Sequence, residues 1–119
     1  MTGVPADSGA LTLREYQERA ALTAKYPDAG HNPIYPTLGL AGEAGEVAEK
    51  VKKVLRDNGG QFDAAAVAAI RKELGDVLWY VARLAAELGL DLEDVAQANL
   101  DKLASRQARG VLHGSGDER

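Results

Sequence analysis

Apolar residues recur along this chain at helical spacing, and four segments carry the pattern. The first begins at Thr12, where Thr12 and Glu15 have the spacing of a capping box, and runs to Tyr26, where Pro27 stops it. Its inner face is Leu13, Tyr16, Ala20 and Ala24. A loop rich in Pro and Gly, residues 27–37, leads into a second helix from about Leu38 to Arg56, with Leu40, Ala44, Val47, Val51, Val54 and Leu55 on one side. Gly39, Gly42 and Gly45 fall in its first turns, where each costs about 1 kcal/mol relative to Ala, so a close approach of backbone or ligand is expected there.

The third helix starts near Asp63, after Asn58-Gly59-Gly60, and continues to a Gly89 C-cap; its stripe is Val67, Ile70, Leu74, Val77, Val81, Leu84 and Leu88. Leu78, Trp79 and Ala82 lie off that stripe. A helix that is apolar on more than one side is buried from more than one side, which in so short a chain suggests a partner subunit in a dimer or tetramer. The fourth helix, capped by Asp91 and Asp94, runs to about Ala108 with Leu92, Val95, Ala96 and Leu103 inward. The pattern predicts an all-α four-helix bundle over residues 12–108, a flexible N-terminus at 1–11 and an irregular Gly-rich tail at 109–119.

Composition sharpens this picture. With 119 residues there is material for one domain, and 45% hydrophobic residues with few aromatics imply a core of Ala, Leu and Val. Cysteine is absent, which removes disulfides and thiolate metal sites and fits a reducing compartment. The first nine residues lack an apolar signal region, and no apolar run approaches the roughly 20 residues of a membrane span, so a soluble cytoplasmic protein is expected. A net charge of −4 argues against binding nucleic acid through its phosphate backbone, though small phosphorylated ligands remain accessible through cations or local Lys and Arg.

The candidate chemistry lies in two pairs of acids: Glu43 with Glu46, and Glu73 with Asp76. Residues three apart share a helical face, so each pair sets two carboxylates side by side in apolar surroundings. At about 100° per residue, Glu43 lies about 70° and Glu46 about 130° from the centre of their stripe, with Lys50 and Lys53 on the same flank; Glu73 lies about 80° from its own. Four such acids between packed helices favour a hard divalent cation held by oxygen, Mg²⁺ in particular, with positions left for water and phosphate. On the fourth helix, Asn99 lies near the apolar stripe with Lys102 and Arg106 following at i+3 and i+7, an arrangement able to hold phosphate oxygens. Singly, each has a plainer reading. Glu46–Lys50 and Glu49–Lys53 have the spacing of ordinary helix pairs, Asn99 could fix register, and Lys102 and Arg106 could complement a helix dipole. His31 and His113 stand far from the acids, against a di-iron site built on Glu-x-x-His.

The run from Leu38 to Lys50 containing Gly42-Glu43-Ala44-Gly45-Glu46, then Lys72-Glu73-Leu74-Gly75-Asp76-Val77-Leu78-Trp79-Tyr80, then Asn99-Leu100-Asp101-Lys102 through Arg106, resembles the MazG-like all-α nucleoside triphosphate pyrophosphohydrolases. The likeness extends from about residue 12 to the end of the fourth helix. It implies Mg²⁺-dependent cleavage between the α and β phosphates of a (d)NTP to monophosphate and pyrophosphate, by a homo-oligomer, with Mn²⁺ as an alternative metal. It also implies that Glu43, Glu46, Glu73 and Asp76 are metal ligands and that Asn99 and Lys102 face the phosphates; Lys53 and Arg106 would offset further charge. Gly42 stands where the family motif commonly has its first Glu, which leaves the base open between Glu46, an acid from elsewhere such as Glu49, and the metal-bound hydroxide alone, with Glu46 and Glu43 as the catalytic candidates. Two other readings stay open: a phosphoribosyl-ATP pyrophosphohydrolase, and a non-catalytic helical interaction module.

Overall fold

The computed structural model describes residues 9–110. Among them are four α-helices, α1 (Leu13–Ala20), α2 (Ile34–Asp57), α3 (Ala64–Glu87) and α4 (Leu92–Arg109), and a 3₁₀ turn at Ala21–Thr23. None is long and apolar enough to cross a membrane. The sequence-based expectations for residues 1–8 and 111–119 lie outside the described residues.

Local chemistry explains most of the boundaries. Thr12 and Glu15 close the capping box: the Glu15 N–H donates to Thr12 Oγ1 (3.0 Å), and the Thr12 N–H to Glu15 Oε1 (2.9 Å). Asp63 caps α3 by accepting the Ala66 N–H, and Asp91 caps α4 by accepting the Glu93 N–H. At the end of α3, Gly89 takes a left-handed φ of 74°, and the Leu90 N–H reaches back to the Ala85 carbonyl at 2.8 Å.

Two boundaries differ from expectation. The first helix does not reach Tyr26; it tightens at Ala21 and is extended by Ala24, because Thr23 Oγ1 donates to the Ala20 carbonyl and the residue before Pro27 disfavours helix. The second starts at Ile34 rather than Leu38. Asn32 Oδ1 accepts the Tyr35 N–H, and Pro36 occupies a first-turn position where no N–H is needed, so the proline does not block the helix.

The two long helices form a hairpin and make the most extensive pairing in the fold. Reduced exposure recurs at Gly39, Leu40, Glu43, Val47, Lys50 and Val54 of α2, and at Ala66, Ile70, Glu73, Val77, Tyr80 and Leu84 of α3, which defines the seam. Helix α1 packs on α3 and on the start of α4 around Ala20, Ala82 and Leu92, with Leu13, Tyr16, Trp79 and Val81 beside them. Polar contacts lock that corner: Arg14 Nε donates to Asp91 Oδ2 at 2.8 Å, while Gln17 bonds the Leu90 carbonyl and the Leu92 N–H.

The segment before α2 is tied to the end of α3 by a buried acid. Glu87 accepts from the Tyr26 hydroxyl and from the N–H groups of Gly30 and Asn32, both at 2.7 Å, with Arg83 at 3.5 Å. Burial pushes this carboxyl upward, but the Tyr26, Asn32 and Gly30 donors and the Arg83 charge outweigh it and hold its pKa at about 2. Trp79 donates to Thr23 Oγ1 at 2.9 Å, and Ala82 is fully buried. Ala82 is therefore covered from within the chain, whereas Trp79 is half-buried and Leu78 is 39% exposed.

Candidate active site

The hairpin seam brings three of the four expected acids together. Glu43 from α2 and Glu73 with Asp76 from α3 each place a carboxylate oxygen within 4.8 Å of the others. Glu43 and Glu73 are half-buried in the seam and Asp76 is at its exposed edge. The seam position of Glu43 is more central than its angular offset from the stripe suggested, because α3 packs against the flank of α2 that carries it.

Such a group has an electrostatic cost. Desolvation first, then the charges of Asp76 and Glu73 and a hydrogen bond with Glu73, push the Glu43 carboxyl above its usual value. Its Oε2 is buried with no hydrogen-bond partner. A buried, unpartnered carboxylate oxygen facing two more carboxylates fits a hard cation better than it fits an all-protein network.

The other expected residues lie as follows. Glu46 is exposed, one turn from Glu43, and close enough to add to its upward shift. Gly42 faces open space: a Cβ built there meets nothing within 4 Å. Glu49 pairs with Lys52 at 2.7 Å, which pulls its carboxyl downward and turns it from the seam. Lys53 lines a cavity of about 390 Å³ between the C-terminal half of α2 and the N-terminal half of α3. On α4, Asn99 is exposed, Lys102 half-buried and Arg106 buried at 3% exposure.

Two features escaped the sequence reading. Lys50, taken there as a helix partner of Glu46, places its Nζ 3.6 Å from Glu73 Oε2. Tyr80 lies flat against the α2 backbone, where a Cβ on Gly39 would run into its ring. Burial, then the Tyr35 hydroxyl and the charges of Glu43 and Asp76, push the Tyr80 hydroxyl upward, so this ring borders the acids. Tyr16 of α1 also senses Asp76. The i+4 spacing of Glu46 and Lys50 hid the cross-helix pair, and a lone glycine could not announce which ring it admits.

Among the described residues the fold is all-helical, and its central hairpin gathers carboxylates across its seam. The sequence profile of the MazG nucleotide pyrophosphohydrolase domain matches residues 34–111, the stretch that runs from the start of α2 past the end of α4. The chain belongs to that family. It is also 51% identical over 109 residues to the Gene 37 protein of Mycobacterium phage L5, covering 87% of this chain and 96% of that one. No solved structure matches.

Proposed function

We propose that this protein is a divalent-metal-dependent pyrophosphohydrolase that cleaves nucleoside triphosphates between the α and β phosphates. The observation that carries the reading is the convergence of Glu43, Glu73 and Asp76 within 4.8 Å on the two helices that hold the family's acidic motifs. Mg²⁺, with Mn²⁺ as the alternative, would be held by these three, with Glu46 able to join from the edge. When bound, the metal neutralises phosphate charge and makes a nearby water more acidic.

The chain's own residues supply the rest. A water oxygen bonds to the α phosphorus, the bond from that phosphorus to the bridging oxygen breaks, and pyrophosphate leaves with the electron pair. Glu46, exposed and one turn from Glu43, takes the water's proton. Glu49 is a poorer base because Lys52 holds it. Lys53, Asn99, Lys102 and Arg106 are the candidates for substrate phosphates. The exposed Val67, Leu74 and Leu78 fall on the flank of α3 opposite Asp76, which supports a homo-oligomer joined away from the acids.

Open space at Gly42, where the family commonly has an acid, favours one rival: a non-catalytic helical module. Pyrophosphate release with Mg²⁺, measured across ribo- and deoxynucleoside triphosphates and phosphoribosyl-ATP, separates the readings. Glu46→Gln and Glu73→Gln are expected to lower turnover by at least about a hundredfold while the fold is retained. Normal turnover in both variants removes these residues from the site, and no turnover of any substrate by the wild type leaves the interaction module.

A further inference from the structure

The hairpin draws a cation, Lys50, to the carboxylate group. Its Nζ lies 3.6 Å from Glu73 Oε2, with the two side chains 30% and 17% exposed. That separation exceeds the roughly 2.7–2.9 Å of a strong charge-assisted hydrogen bond, so the pair is loose although partly shielded from solvent. Glu73 is also one of the three acids that converge. A divalent ion taking Glu73 would face the ammonium at close range, and like charges there repel. The ammonium then needs a new anion.

Space for that exchange is present. Lys50 and Lys53 line the same cavity of about 390 Å³, whose α3 wall is built from small side chains, Ala65, Ala66 and Ala69. Its two carboxylates are already engaged: Asp57 with Arg56 at 2.9 Å, and Asp63 with the α3 N-terminus and Asn58. Lys50 joins the two places, with its ammonium against Glu73 and its side chain lining the cavity, so phosphates held beside the acids would lie within its reach.

We propose that Lys50 is a cation held in reserve: it neutralises Glu73 in the metal-free protein and moves to the pyrophosphate end of the substrate when a divalent ion takes Glu73. The proposal rests on the reading of the acids as a metal site. It makes opposite demands on two binding constants, which a merely structural ion pair would not.

The test uses the full chain and two probes, Mn²⁺ alone and a deoxynucleoside triphosphate with a methylene group bridging its α and β phosphorus atoms, each titrated by calorimetry. In Lys50→Gln, Mn²⁺ binding without nucleotide is expected to tighten about tenfold, because a competing positive charge is gone, while binding of the analogue at saturating Mn²⁺ weakens about tenfold. Lys50→Arg should restore analogue binding. Unchanged analogue affinity in Lys50→Gln, or weaker Mn²⁺ binding, overturns the proposal while leaving the metal site and the hydrolase reading intact. A wild type that neither binds Mn²⁺ nor hydrolyses any triphosphate overturns both together.

Discussion

Glu43 concentrates the chemistry of the site in one side chain. It is half-buried, one of its oxygens lacks a partner, and two acids from the facing helix lie against it. Burial and those charges raise its pKa above the ordinary 4.5, so between that value and the raised one the folded state binds more protons than the unfolded chain. Stability of the metal-free protein should therefore be highest below pH 4.5, as far as this group contributes, and fall as pH rises through the raised value. Denaturant titrations from pH 4 to 8 in chelator will show that slope, and Glu43→Gln should flatten it; a slope unchanged by the substitution would mean that Glu43 is not the strained group. The i, i+3 spacing singled out the three acids that the seam brings together, Glu43, Glu73 and Asp76, along with Glu46, which stays exposed outside that group. Lys50 was not legible in the sequence, because a lysine one turn from a glutamate on its own helix reads as a local pair, and only the register of α2 against α3 gives it to Glu73.

At the scale of elements, caps were the readable part. Thr12, Asp63, Asp91 and Gly89 mark boundaries because each satisfies specific backbone groups of its own helix. The start of α2 was obscured by two prolines, whose tolerance in a first turn depends on the Asn32 cap and on the Glu87 tether of the preceding segment. Its glycines divide. Gly39 is required because the Tyr80 ring occupies the place of its side chain, whereas Gly42 and Gly45 face open space in the helix interior. Gly42→Ala and Gly45→Ala should each raise stability by about 0.5–1 kcal/mol through helix propensity, and Gly39→Ala should lower it by about 1–3 kcal/mol because the ring must shift. Urea midpoints will check the signs. Equal effects at all three positions would contradict the Gly39–Tyr80 packing.

The whole molecule leaves a thin core and a large apolar remainder. Among the described residues, three of the six buried hydrophobic ones are alanines, while Val67 and Leu74 are more than half exposed on the flank opposite Asp76. Burying side chains of this size is worth about 1.5–3 kcal/mol each, which gives an oligomer formed through this face a clear driving force. Light scattering at micromolar concentration should return a dimer or tetramer, and Leu74→Glu with Leu78→Glu should dissociate it; a monomeric mass for the wild type would reject the assembly.

The most direct check on the site is the melting temperature with and without divalent ion. Carboxylates about 4 Å apart repel by roughly 4 kcal/mol at an effective dielectric of 20, and a ligand at a hundredfold excess over its Kd adds about 2.7 kcal/mol to the folded state. Millimolar Mg²⁺ or Mn²⁺ should therefore raise the wild-type Tm by several degrees, while Glu43→Gln and Asp76→Asn shrink that rise and leave the metal-free protein no less stable. An unchanged Tm on adding metal, or neutralised variants that melt well below the metal-free wild type, would show that these acids are structural partners and not a cation site.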